Sequence, residues 1–300
     1  MTEPTKTIVY TCPYVPAEWI AAHGFEPRRL IPLPTDGESV APRVEGLCPY
    51  ARAFVNDAAA ENNAAGIVVT TLCDQMRRAY DLLARGTTTP AFLLNVPKTW
   101  LTVAAQRMYL DELKRLGRFL VRLGGRTPSH EDLTKAMIEH VAWAVPTDSP
   151  THLEGVPIAV VGGPLMQRDR ILFDLIEESG GHVVLDATET GSRGRHRLFD
   201  RRRVVEDPLT ELADAYFGIP DASRRPNSEL YAWLKEELAQ AGARGIVFHH
   251  YVWCDAWRAE LARVKEWAGL PVLGLDSDGH DETNVARLRT RIRAFLEMLQ

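Results

Sequence analysis

Four separated cysteines, Cys12, Cys48, Cys73 and Cys254, are the residues of this chain whose type could hold a metal centre. Cys12 and Cys73 each follow an apolar, β-branched run and precede an amphipathic one. Cys254 does the same after residues 245–253, and Cys48 stands just ahead of a helical segment. In open α/β sheets, ligand sites form beyond the carboxyl ends of the strands. Backbone N–H groups at a helix start favour a thiolate and can donate to the sulfides of an iron–sulfur cluster. Four thiols in this shared context can therefore converge on one crevice. Their spacing carries less: no C-x-x-C is present, which disfavours a zinc ribbon or a compact ferredoxin site. Small buried apolar cysteines would show the same pattern.

The elements that must position these thiols alternate along the chain. Strands are expected at 7–11, 29–33, 66–71 and 91–95, then at 158–162, 183–186, 245–249 and 272–275. Helices are expected at 16–23, 51–62, 74–85, 100–123 and 130–143, then at 167–179, 209–217, 228–241, 256–267 and 284–299. Alternation of this kind predicts an α/β fold with mostly parallel strands. Residues 146–154 are polar with two prolines and read as a linker. The expectation is two doubly wound, flavodoxin- or Rossmann-like domains, 1–150 (with long connecting helices) and 151–300, and a cluster-binding crevice between them.

The bulk properties exclude several classes. Hydrophobic residues make up 45% of 300 and charged residues 25%, with a net charge of −5, so nothing asks for nucleic acid or an anionic membrane. No apolar run approaches the roughly 20 residues of a membrane span. The polar N-terminus lacks the layout of a signal peptide. A cytoplasmic location follows, where thiols stay reduced and cysteines serve as ligands, reactive groups or core rather than disulfides.

Particular segments carry a resemblance. Tyr10-Thr11-Cys12-Pro13-Tyr14-Val15-Pro16-Ala17-Glu18 followed by Ala22-His23-Gly24-Phe25-Glu26-Pro27, then Cys48-Pro49-Tyr50-Ala51-Arg52, then Thr70-Thr71-Leu72-Cys73-Asp74-Gln75-Met76, occur in order in the first half. Gly162-Gly163-Pro164, Asp186 with Gly191-Ser192-Arg193, Cys254-Asp255 and the closing stretch 290–297 continue the series. Together they resemble subunits of the 2-hydroxyacyl-CoA dehydratase and benzoyl-CoA reductase family, which includes double-cubane cluster reductases. The resemblance implies a [4Fe–4S] cluster, or a double-cubane cluster, between two α/β domains. It implies radical dehydration or reduction of an acyl-CoA thioester, a lyase or related oxidoreductase activity of anaerobic metabolism. A separate ATP-hydrolysing iron–sulfur activator would supply a low-potential electron, and the partner would be a homologous second subunit or a second copy. The ligand role passes to Cys48, Cys73 and Cys254. Cys12 matches a motif whose cysteine is not usually a ligand, which leaves a closed four-cysteine site as the alternative. Pro13 departs from the serine that many dehydratases carry, and the N-terminal helical extension of many family subunits is absent ahead of the first motif.

Other candidates are less specific. Glu18, one turn into the helix after Cys12, and His249 and His250, at the end of the strand before Cys254, are candidate proton carriers; local hydrogen bonding is the competing account. Arg193 opens a basic stretch with Arg195, Arg197, Arg201, Arg202 and Arg203 that could meet coenzyme A phosphates, or form a solvated loop or subunit contact. No G-x-x-x-x-G-K-[ST] occurs, so no P-loop ATPase is expected. Rival functions are a reductase of a small non-CoA substrate, a non-catalytic four-cysteine electron-transfer subunit, and a metal-free two-domain binding protein.

Overall fold

The computed structural model describes residues 6–33, 46–144, 154–278 and 282–300. The linker expected at 146–154 lies, but for Glu154, outside them. Two four-stranded parallel sheets form. In the first, β1 (Thr7–Tyr10), β2 (Glu26–Arg29), β3 (Ala64–Thr70) and β4 (Ala91–Leu94) adopt the order β2-β1-β3-β4. In the second, β5 (Val156–Gly162), β6 (Gly181–Ala187), β7 (Gly245–Tyr251) and β8 (Val272–Ser277) repeat it as β6-β5-β7-β8. The expected doubly wound α/β class is what the molecule shows. The central strands β1, β3, β5 and β7 are covered on both faces, so they read as continuous apolar runs rather than alternating ones. Ile8, Val9, Ile67, Val68, Ile158, Val160, Ile246 and Val247 are all fully buried.

Helices α1 (Ala17–Ala22), α4 (Val103–Arg122) and α5 (His130–Ala144) cover one face of the first sheet. Helices α2 (Pro49–Ala60) and α3 (Asp74–Gly86) cover the other. The second sheet lies between α9 (Ser228–Ala241) with α10 (Asp255–Trp267) and α6 (Ile171–Glu178) with α11 (Glu282–Leu299). Two helices break the linear division. α7 (Arg201–Glu206) and α8 (Pro208–Phe217) follow β6 in sequence but pack into the first half's core, where Val204, Leu212, Tyr216 and Phe217 join Tyr14, Tyr109 and Leu113. The Tyr14 hydroxyl donates to the Ile219 carbonyl at 2.5 Å, and Tyr109 stacks on Phe217 at 5.3 Å.

Three local differences from the sequence reading have clear causes. The second strand is Glu26–Arg29, not 29–33: it is an edge strand whose alternate side chains are exposed, so a polar segment suffices and Pro27 is tolerated there. The helix expected at 167–179 begins as a 3-10 turn, Gln167–Arg170, before α6. In the basic stretch Arg193 is buried, whereas Arg195, Arg197, Arg201 and Arg202 remain exposed, as a solvated loop and helix start would leave them. Asp200 caps α7 by accepting from the amides of Arg202 and Arg203. Arg197 and Arg203 both close on the fully buried Glu211 of α8, at 2.5 and 2.9 Å. No described helix is long and apolar enough to cross a membrane.

Candidate functional site

Cys48, Cys73 and Cys254 occupy one kind of position. Each is the N-cap of a helix, of α2, α3 and α10 respectively. Pro49 suits the first turn of α2 because its missing N–H would have had no helical partner. A thiol replaces the usual Ser, Thr or Asp at each cap. None of the three sulfurs closes a full cap hydrogen bond. The amides of Ala51, Met76 and Trp257, each three residues on, nevertheless favour the charged thiolate. Three helix N-termini, each carrying partial positive charge, thus meet at one place. Gln75 ties two of them together by accepting from the Cys48 amide at 2.8 Å.

That place is a cavity of about 350 Å³ between the two sheets, lined by all four cysteines. It lies at the carboxyl ends of the strands, where doubly wound sheets bind ligands. The first half contributes Thr11, Tyr50 and Thr70; the second contributes Glu189, Asp221, Tyr251 and Trp257. Contacts between the halves hold it closed at the sides. The Arg225 amide donates to the Lys98 carbonyl at 2.8 Å, the Gln167 amide to the Pro32 carbonyl at 3.1 Å, and the Tyr50 and Tyr251 rings lie 6.0 Å apart.

The four thiols are not equivalent. Cys48, Cys73 and Cys254 influence one another electrostatically, whereas the neighbours that act on Cys12 are Glu189, Thr70, Tyr14 and Arg29. Cys12 is not a helix cap; Pro16 holds that position for α1. Burial pushes all four thiols up, Cys73 to about 12 and Cys12 and Cys254 further. They are protonated at neutral pH until a metal displaces the protons. Among the described residues no group of three His, Cys, Asp or Glu closes around a single ion. Three soft donors at three helix N-termini suit an anionic iron–sulfur cluster instead, in which each thiolate binds a different iron.

The other predicted residues stand elsewhere. Glu18 is buried away from the cavity lining; it accepts from the Tyr216 hydroxyl at 2.7 Å and pairs with His196 at 3.5 Å. Burial pushes its carboxyl up, but the bonds and charge from His196 and Tyr216 prevail and hold it below the usual range. It joins α1 to α8. His249 and His250 are buried within β7 and do not line the cavity either; burial holds His249 low and its Nδ1 finds no partner. Both stand near the carboxyl end of a strand covered on its two faces, where their rings are buried in the packing instead of entering the cavity. Arg193, expected to meet a phosphate, is enclosed behind the wall. Its Nη1 donates to Asp221 and to the Pro220 carbonyl, both at 2.9 Å, and its Nη2 to the Gly162 carbonyl at 3.1 Å. Its guanidinium lies 4.5 Å from the Trp257 ring. It therefore positions two lining residues and presents no open fork.

Several lining residues escaped the sequence reading, Asp221, Tyr251 and Trp257 among them. Glu189 projects from the loop after β6; nothing in its local sequence marks it as buried. Trp253, immediately before Cys254, has φ +66°, the one non-glycine residue in that region among the described residues, and is 54% exposed at the mouth. A bulky residue held in the left-handed region is strained, and such strain gathers at functional sites. The indole is thus kept at the entrance at a conformational cost.

Comparisons with known proteins bear on this geometry. A family model described as 2-hydroxyglutaryl-CoA dehydratase, D-component, matches residues 12–143 and 142–299. No curated protein matches the chain. Among solved structures, the SBP FpvC from Pseudomonas aeruginosa in complex with Mn2+ is 11% identical over 98% of this chain and 100% of its own, with a TM-score of 0.29. The same protein with Ni2+ is 12% identical over 99% and 98%, with a TM-score of 0.28; alignments this loose carry no argument. The family match runs through both sheets and all four cysteines, and by it the chain belongs to the 2-hydroxyglutaryl-CoA dehydratase D-component family.

Proposed function

We propose that this chain is the iron–sulfur component of an acyl-CoA dehydratase system, with Cys48, Cys73 and Cys254 holding a [4Fe–4S] cluster and one iron left open to substrate. Membership of the family makes it a dehydratase-like component that works with partner components. The observation that carries the finer reading is that three helix-capping thiols, two from one half and one from the other, line one cavity, while Cys12, which lines it too, caps no helix. When bound, the cluster would supply Lewis acidity and a low-potential electron at the open position. The chain's residues do the rest. The N-terminal amides of α2, α3 and α10 offset the cluster's negative charge. Trp257 and Tyr251, both nearly fully buried, exclude water from the reacting end of the substrate. The Thr11–Tyr50 hydroxyl pair, 2.5 Å apart, offers a donor on the opposite wall. The cavity is at the small end for ligand pockets, which fits the acyl end of a thioester with the rest of the carrier outside.

The absence of a P-loop motif fits an electron delivered by a separate ATP-hydrolysing activator, in a reducing cytoplasm, to a dimer with a homologous subunit or a second copy. The experiment is anaerobic purification followed by iron, sulfide and EPR analysis. Iron and acid-labile sulfide should each reach about four per chain. Colourless protein after anaerobic reconstitution, or stoichiometric zinc in its place, would refute the reading.

A further inference from the structure

Among the carboxyl groups lining the cavity, Glu189 is unlike the rest. Asp74 and Asp255 are exposed first-turn acids of α3 and α10. Asp221 is committed to Arg193 through one oxygen and to the Ser223 amide, at 2.8 Å, through the other. Glu189 is 8% exposed, lines the cavity, and its carboxyl has no hydrogen-bond partner among the described residues. Neither of its oxygens is among the fully enclosed polar atoms left without a partner, so the carboxyl opens onto the cavity itself and is available to whatever the cavity holds.

Its backbone, by contrast, is fixed from several directions. The Glu189 amide donates to the Gly163 carbonyl at 3.2 Å, and its carbonyl accepts from Arg29 Nη2 at 3.1 Å, so both halves hold it. Asp186 accepts from the Thr188 amide and hydroxyl at 3.1 and 2.6 Å and shapes the turn before it. Gly194 has no room for a side chain: a Cβ there would lie 1.9 Å from the Glu189 carbonyl oxygen. The loop holds one carboxyl at the cavity, near enough to Cys12 and Tyr50 for its charge to act on both.

We propose that the Glu189 carboxyl is the catalytic group that carries the proton between carbon and oxygen of the substrate in this cavity. The inference rests on the cavity being the reaction site. In a dehydration the substrate C–H bond breaks, its proton passes to a Glu189 oxygen and its electron pair becomes the new C=C bond. The C–O bond breaks with its pair leaving on the oxygen, which takes that proton from Glu189; water leaves and the carboxylate is restored, with no net oxidation. The other groups on the walls cannot do this. The Cys12 and Tyr50 protons are held too tightly in their buried settings, and both oxygens of Asp221 are already committed to Arg193 and the Ser223 amide. Burial first, and then the charge of Asp221, push Glu189 up to about 7 against the opposing pull of Arg193 and Arg29, so both of its forms are populated near neutrality, as a general acid–base group needs.

The test compares anaerobically reconstituted wild-type, Glu189→Gln and Glu189→Asp proteins, each with a low-potential chemical reductant and 2-hydroxyglutaryl-CoA as the probe thioester. Infrared difference spectra of wild type should show a neutral carboxyl band that disappears as pH rises through about 7 and is missing from Glu189→Gln. Glu189→Gln should keep its iron, its sulfide and the EPR response to the thioester, while solvent deuterium exchange into the substrate and turnover fall about 100-fold or more. Glu189→Asp should recover part of both with a shifted pH profile. Turnover within a few-fold of wild type, loss of the cluster in Glu189→Gln, or no infrared band that the substitution removes would each overturn the proposal. Protein that takes up no iron would instead defeat the cluster reading, and the infrared arm would still decide whether Glu189 holds an exchangeable proton in the cavity.

Discussion

The two halves of the molecule are built on one plan and furnish it differently. Each sheet places its first and third strands side by side, and the third strand of each runs into a cysteine that caps the following helix, Cys73 before α3 and Cys254 before α10. The segments after the second strands diverge. In the first half the chain returns as Cys48 and α2; in the second it delivers the Glu189 loop and then sends α7 and α8 across to the other half. The connection between the second and third strands thus brings a thiol to the cavity in one half and a carboxyl in the other. Soft sulfur suits iron and a carboxyl suits proton transfer, so under the proposed function the first half would supply two of the three ligands and the second half one ligand and the proton carrier. The crossing helices explain how two sheets of separate cores keep the two sides in register.

The comparison can be broken at several points, with effects of decreasing size. Arg193→Ala leaves Asp221 buried without its partner, a loss of about 3–5 kcal/mol, and should lower the denaturant midpoint more than any other change named here. An unchanged midpoint would show that the wall does not depend on that ion pair. Leu212→Ala removes a fully buried side chain of α8 and should cost about 2–5 kcal/mol. Hydrogen exchange should quicken in α1 and α4 rather than in α9 and α10; the opposite pattern would mean that α8 belongs energetically to the half in which it lies in sequence.

Glu189→Gln has a smaller, pH-dependent effect on the fold. Glu189 titrates at about 7 in the folded protein against an ordinary value of 4.5. The folded state therefore prefers the neutral form, and wild type loses stability as pH rises from about 4.5 towards 7. The variant, always neutral, should melt higher than wild type at pH 8 and equally at pH 4; a difference of the same size at both would contradict the assignment. Arg202→Ala, which removes only the exposed i,i+4 pair with Glu206, should leave the melting temperature unchanged.

How much of this the residues announced depends on the kind of signal. The buried parallel strands were legible because a strand covered on both faces reads as a continuous apolar run, and the junction cysteines because they stand at the ends of such runs. The slip of β2 was not, because an edge strand such as Glu26–Arg29 carries no apolar signature. The crossing of α7 and α8 was not, because an amphipathic helix states that it needs a core but not which one. Arg193 misled for a related reason: a run of arginines reads as a surface until Asp221 and Glu211, 28 and 14 residues away from Arg193 and Arg197 in the chain, are brought against it. Glu189 sits in a polar loop sequence, and its burial is a product of Gly194, Arg29 and Gly163, residues from three different segments.

The central claim is that three of the four cysteines hold iron and the fourth does not, and a pair of variants tests it most directly. Cys254→Ser and Cys12→Ser proteins, prepared anaerobically side by side, are compared by iron and sulfide content and by EPR. Cys254→Ser should lose most of the cluster, because a serine hydroxyl replaces a thiolate poorly. Cys12→Ser should keep it and alter only its potential or its response to thioester. Equal loss of the cluster in both would mean a closed four-cysteine site, and the account of an open iron facing Glu189 would be wrong.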